Sequence, residues 1–275
     1  MPVGEPRLVT AARDHLAEPV RSEACGPYRL LTDAEGDLLD SLRALCAAPV
    51  AGFEREYRAR LGVPLHHPPR GTLVLFADRR RFRTYVEADG ELPQGYAGFS
   101  LAAAGLVALP AGDLFADDVA RTLAHELAHL AHRRAFGVEP EPWLAEGLAD
   151  AVGDSARAEG FAPLAGFAGV EGLRERLLGG YASGRAGSLE RLAGLDRDRF
   201  DRGRVSYDYD QSALLVRFLL LDTGLAPRFR AWLAARTWLK STPVVPVTEA
   251  LGIRLPELER RFRAWLGAPA EVGGA

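Results

Sequence analysis

The chain has little of several features that would place it in a specialised class of protein. Nowhere in its 275 residues does an uninterrupted apolar run reach the length of about 18 residues that a transmembrane helix needs. The amino-terminal segment carries charges every few residues and lacks the unbroken apolar core of a secretory signal, so we expect no export. Together these two absences predict a cytoplasmic protein with no membrane span.

Cysteine and lysine are both scarce. Cys25 and Cys46 are the only cysteines, too few for a disulfide framework and not at metal-ligand spacing. We interpret them as ordinary thiols, although a single bridge between them stays open. Lys240 is the only lysine, so arginine supplies nearly all of the positive charge. A formal net charge of -3 gives no global attraction to phosphate backbones, which argues against nucleic acid as a partner.

What is present indicates an ordinary globular protein. Hydrophobic residues make up 48% of the chain and charged residues 26%, both near the averages of folded domains. The length allows two modest lobes that share a cleft. We predict an amino-terminal arm over residues 1–24, an α/β lobe over 25–137, a helical lobe over 138–267 and a flexible tail over 268–275.

Strand and helix signals alternate in the first part of the chain. A short apolar segment, Tyr28 to Leu31, predicts a strand, and Thr32 with Asp33 after it resembles a helix cap. Further apolar patterns predict helices that carry Leu38 to Leu45 and Phe53 to Leu61, a strand over Thr72 to Phe76, a short helix over Phe82 to Glu87 and a strand over Leu106 to Leu109.

The clearest helix signal follows these elements. Acidic Asp117 and Asp118 begin it, apolar residues recur at helical spacing, and two arginines with Gly137 end it. Pro142 is well placed to begin the next helix. Apolar periodicity then predicts three further helices, starting near Tyr209, Phe229 and Leu255.

The clearest helix contains the motif HELAH, residues 125 to 129. Its spacing puts His125 and His129 on one face, one turn apart, so both imidazoles can bind a single zinc ion. Glu126 lies about 100° round the helix, where its carboxylate can reach a metal-bound water without ligating the metal. Such an arrangement suits metal-assisted hydrolysis. His132 lies about 10 Å along the axis from His125, too far to share the ion, which predicts a position at the rim or behind the ligands.

A catalytic zinc needs a third protein ligand from another element. Glu146, on the helix that Pro142 begins, is the candidate. One turn further on, Asp150 falls on the same face and can accept the second ring proton of a metal-bound histidine.

HELAH followed by WLAEGLAD, residues 143 to 150, resembles the zinc metallopeptidases of the gluzincin group, and within it the peptidase-MA-like domains. In that family a W-x-x-E-G-x-A-[DE] segment supplies the third ligand. The resemblance implies a small mixed sheet with the metal helix, a helical lobe and a cleft between them. It also implies that Leu106 to Leu109 is the edge strand along which an extended peptide pairs. A tyrosine that stabilises the oxyanion is implied too: Tyr209 fits best and Tyr207 is the alternative.

We therefore predict an α+β, zincin-like fold and a zinc metallopeptidase. His125, His129 and Glu146 hold one zinc ion, Glu126 is the general base, and a peptide or protein is the substrate. Two alternatives stay open: a catalytically silent domain that keeps the zinc scaffold and binds a partner, and a metal-free helical protein in which HELAH occurs by chance.

Overall fold

Helices and short strands alternate in the first part of the chain, and helices dominate the rest. The computed structural model describes residues 6–89, 97–112, 114–202, 205–237 and 245–267, so the predicted tail lies outside the described residues. Up to the predicted metal helix the elements are α1 (Arg7–Asp14), β1 (Arg21–Cys25), β2 (Tyr28–Thr32), α2 (Gly36–Leu45), a π-helical turn (Cys46–Val50), α3 (Ala51–Leu61), β3 (Thr72–Phe76), α4 (Arg79–Asp89), β4 (Phe99–Leu101), β5 (Leu106–Pro110) and α5 (Ala116–Phe136). After it come α6 (Pro142–Gly153), β6 (Ala156–Arg157), β7 (Gly160–Phe161), α7 (Glu171–Ala182), α8 (Leu189–Ala193), α9 (Arg197–Arg202), α10 (Val205–Leu221), α11 (Ala226–Ala235), α12 (Val247–Leu251) and α13 (Leu255–Gly267).

The described residues divide into two compact units. The first lies within residues 1–56, 65–134 and 155–162, and the second within 57–64, 135–154 and 163–275. The first holds the five-stranded sheet and the HELAH segment, whereas the second is built from helices. Searched over the described residues, the structure has no helix long and apolar enough to cross a membrane.

The first unit is organised around a mixed sheet with strand order β1-β2-β3-β5-β4. Strands β2, β3 and β5 run parallel, and the outer strands β1 and β4 pair antiparallel to them. The prediction that Leu106 to Leu109 forms the edge strand is wrong, because β5 pairs with β3 on one side and with β4 on the other. On this side of the sheet the edge strand is β4. No strand was predicted there, because β4 has only three residues and follows a glycine-rich segment.

Two helices cover one face of this sheet. Side chains from α1 and α4 form a core with the sheet, in which Phe76 packs against Phe82 and Tyr85 at ring-centroid distances of 5.7 and 5.8 Å. Val9 and Ala12 of α1 are buried in the same core. The segment predicted as an amino-terminal arm therefore carries a core helix and most of β1. Helix α1 packs on the core because its few apolar residues all fall on one face.

Thr32 and Asp33 do not cap a helix, contrary to the prediction. Helix α2 begins three residues later with no side-chain cap. Instead the Thr32 hydroxyl donates to the Leu75 carbonyl at 2.6 Å, and the Asp33 carboxylate accepts from the backbone N–H groups of Ala17 and Ala77 at 2.8 and 2.7 Å. Both residues therefore hold the carboxyl end of β2 against β3 and the segment after α1.

Cys25 and Cys46 form a disulfide, so the interpretation of ordinary thiols is wrong. The bridge joins the end of β1 to the start of the π-helical turn. A separation of 21 residues concealed this proximity, which arises only when the β1-β2 hairpin and α2 are both formed.

The second unit depends on close contact between α6 and α10. Nearly every residue of α6 is buried. A methyl group on Gly147 would lie 2.4 Å from Val216 Cγ2 and 2.5 Å from the Ser212 carbonyl oxygen, so only glycine lets the two helices approach this closely. The glycine of the WLAEGLAD segment is therefore a packing requirement of the helix that carries Glu146.

We expect Gly147→Ala to destabilise the protein by about 1–3 kcal/mol, because the added methyl group must push α10 away from α6. Gly179→Ala is the matched control, since that helical glycine has no atom within 4 Å of the added methyl group. It should leave stability unchanged or raise it by up to about 1 kcal/mol. Urea unfolding of both variants measures the difference, and equal midpoints would contradict the close contact.

We expect loss of the disulfide to lower the free energy of unfolding by about 3 kcal/mol, because a bridge across 21 residues restricts the unfolded chain. The measurement is urea unfolding of Cys25→Ser/Cys46→Ser beside the wild type with and without reductant. The reduced wild type should match the double variant. A wild-type midpoint that reductant leaves unchanged would show that the bridge is absent in solution.

Candidate functional site

Helix α5 positions the HELAH segment. Asp117 and Asp118 in the first turn and Arg133 and Arg134 in the last turn suit the helix dipole, and Gly137 follows the helix at a φ of 79°. Apolar residues recurring along the helix are buried and fix its rotation: Val119, Leu123, Leu127 and Leu130. The histidines of the motif lie in the middle of this helix, where its backbone is fully hydrogen bonded.

His125 and His129 are brought together as predicted. Both are half-buried, and their Nε2 atoms lie 3.2 Å apart. Two nitrogens on a tetrahedral zinc, each bonded at about 2.0–2.1 Å, are separated by roughly 3.3 Å. The pair therefore already has the spacing of two zinc ligands, so the residues present fit the metal.

Glu126 differs from the other buried acids of the described chain. It is 8% exposed and makes no hydrogen bond or ion pair with any residue that the structure describes. Neither carboxylate oxygen of Glu126 is among the described side-chain atoms that are both fully enclosed and without a hydrogen-bond partner. The Glu126 carboxylate, one position after His125, can therefore accept a proton or contact a bound molecule.

His132 is fully buried, so it does not lie at the rim. Its ring stands edge-on to that of His129, with centroids 5.4 Å apart and an interplanar angle of 87°. It shares the buried face of α5 with Ala128 and Ala135, which explains its position behind His129.

Glu146 lies on α6 in the second unit, and Pro142 begins that helix as predicted. Glu146 is 5% exposed. Its Oε1 accepts a hydrogen bond from Arg197 Nη1 at 2.7 Å. Burial lowers the pKa of Arg197, but the charge and hydrogen bond of Glu146 outweigh burial and raise it, so the guanidinium stays protonated.

Arg197 begins a network that the sequence patterns did not reveal. Its Nη1 lies 3.5 Å from Asp201 Oδ1, and the same oxygen accepts from the Tyr209 hydroxyl at 3.3 Å. The ring of Phe200 lies 4.7 Å from the ring of Tyr209. The one available signal was the i, i+4 spacing of Arg197 and Asp201, which glycine-rich surroundings obscured.

The two candidate tyrosines face different ways on α10. Tyr209 belongs to the network of Glu146. Tyr207 packs against α7, where a methyl group on Gly180 would lie 2.6 Å from its Cε1 atom. The geometry within the second unit thus favours Tyr209 as the residue associated with Glu146.

Asp150 follows Glu146 by one turn of α6 and is half-buried. Its charge contributes to the raised pKa of Asp210, for which burial is the main cause. The predicted bond from Asp150 to a histidine ring stays a prediction.

Whole-sequence comparison adds no relative: no protein-family model and no curated protein matches the chain. The gluzincin resemblance therefore rests on the residues of the two motifs alone.

Proposed function

We propose that the protein is a zinc-dependent hydrolase of the gluzincin type that cleaves peptide bonds. The observation that carries the proposal is the position of Glu126, an acid with no partner among the described residues, next to two histidines at zinc-ligand spacing.

His125 and His129 from α5 and Glu146 from α6 would hold the ion. Two imidazoles and a carboxylate are a donor set that leaves zinc one open position for catalysis. The sequence order, with the glutamate on the helix after HELAH, is that of the gluzincin motif. A zincin-like fold is part of the same proposal.

When bound, zinc polarises a carbonyl group and makes water acidic enough to lose a proton near neutral pH. Glu126 would accept a proton from the attacking water on its carboxylate as the water oxygen bonds to the carbonyl carbon and the carbonyl π electrons move to oxygen. The same carboxyl group returns the proton to the leaving amine as the bond between carbon and nitrogen breaks. The Tyr209 hydroxyl donates to Asp201 Oδ1 in this structure, and it would exchange that bond to donate to the oxygen on which negative charge develops.

The choice of a peptide over another amide or ester rests on the resemblance. The disulfide bears on the compartment, since such bridges persist mainly in oxidising surroundings. It therefore argues for an oxidising compartment over the cytoplasm that the amino-terminal sequence predicted.

The first test is Glu126→Gln. We expect wild-type protein to contain one equivalent of zinc and to cleave members of a quenched fluorescent peptide library. Glu126→Gln should keep the zinc and lose about 10²–10⁴-fold in kcat, because only proton transfer is removed. Asp118→Asn, an exposed acid on the same helix, is the matched control and should behave as wild type.

The other possible outcomes of this test support the alternative interpretations of the chain. Zinc without hydrolysis in the wild type supports the silent binding domain. No zinc in the wild type, or zinc that persists in His129→Ala, contradicts the metal site itself.

The second test compares the two tyrosines. We expect Tyr209→Phe to lower kcat by roughly 10²-fold with zinc content unchanged, because one donor to the developing oxyanion is lost. Tyr207→Phe should stay near wild type, since that ring packs against α7. A larger loss in Tyr207→Phe would reverse the assignment.

A further inference from the structure

The bond between Arg197 and Glu146 restricts the carboxylate of the third ligand. The Glu146 side chain is only 6% exposed, and its Oε1 accepts from Arg197 Nη1 at 2.7 Å. A charge-assisted bond of this length is short and directional. It therefore restrains the rotation of the carboxylate.

Two neighbouring side chains of α9 restrain Arg197 itself. Asp201, one turn further along α9, lies 3.5 Å from the same Nη1, and the guanidinium carbon lies 5.9 Å from the ring centroid of Phe200. Phe200 is fully buried, so it anchors α9 in the second unit. An arginine fixed in this way restrains its partner more than a mobile surface arginine does.

The same acid connects the ligand to the proposed oxyanion donor. Asp201 Oδ1 lies within reach of Arg197 and also accepts from the Tyr209 hydroxyl at 3.3 Å. The side chains of Arg197 and Asp201 on α9 thus connect Glu146 of α6 to Tyr209 of α10. All four residues belong to the second unit.

We propose that Arg197 is the positioning residue of the zinc site: it holds Glu146 in its ligating orientation, and Asp201 extends this restraint to Tyr209. The inference rests on the proposed function. Polar groups that hold a metal ligand typically account for 10- to 100-fold in metal affinity. A purely structural pair that only compensates the buried carboxylate would affect folding stability and leave zinc affinity unchanged.

The test measures zinc affinity by competition with a chromophoric chelator, with thermal unfolding of the metal-free protein alongside. We expect Arg197→Gln to weaken zinc binding by at least about 10-fold. Arg197→Lys keeps the charge and one donor, so it should retain part of the affinity. Arg199→Gln is the matched control, because that arginine is exposed on the same helix. The zinc affinity of this variant should equal that of wild type.

Asp201→Asn keeps Glu146 paired while weakening the support of Arg197, so it tests the inference even if Arg197→Gln does not fold. It should weaken zinc binding in the same direction by a smaller factor. Unchanged or tighter binding in folded Arg197 variants, or in Asp201→Asn, would overturn the inference while the wild type still binds zinc. A wild type without zinc affinity would instead overturn the proposed function.

Discussion

An ionised carboxylate can be buried only where a cation or several N–H groups replace the water it loses, and this constraint organises the interior of the protein. Each of four buried acids has such a partner: Asp33 with two backbone N–H groups, Glu146 with Arg197, Asp208 with Arg191 and Asp210 with Arg176. Glu126 has no such partner among the described residues, and neither of its oxygens is among the fully enclosed unpaired atoms. The contrast separates the four acids that hold the fold together from the one to which we assign the proposed proton transfer.

The same constraint favours arginine over lysine beside the buried acids. Arg191 binds Asp208 through two N–H groups at 2.6 and 3.0 Å, and Arg176 binds Asp210 in the same way at 2.9 and 2.9 Å. Arg217 uses one guanidinium to bind three backbone carbonyl groups. Lysine cannot replace arginine in such forked contacts, because its charge is a single point. A unit that buries acids along α10 therefore needs arginine in particular.

Local patterns predicted the elements that surround the HELAH motif, because their signals lie in contiguous residues. The strand over Thr72–Phe76 is confirmed to the residue, and the acidic start of α5 and Pro142 at the start of α6 are confirmed as well. Non-local features escaped prediction. The Cys25–Cys46 bridge and the Arg197 contact each depend on residues that meet only after the chain has folded. Strand β4 escaped for a different reason, since it pairs locally with β5 but has only three residues. Spacing along a helix can suggest which groups share a face, but not which distant side chain will meet them.

The bridge between Cys25 and Cys46 also changes what a single break in the backbone can do. The covalent loop that it closes contains β2 and α2. Cleavage at any one peptide bond inside this loop leaves the two fragments joined through sulfur. Helix α1 and strand β1 would then stay tethered to the sheet that they help to build, and the nicked protein would keep all of its parts in one molecule.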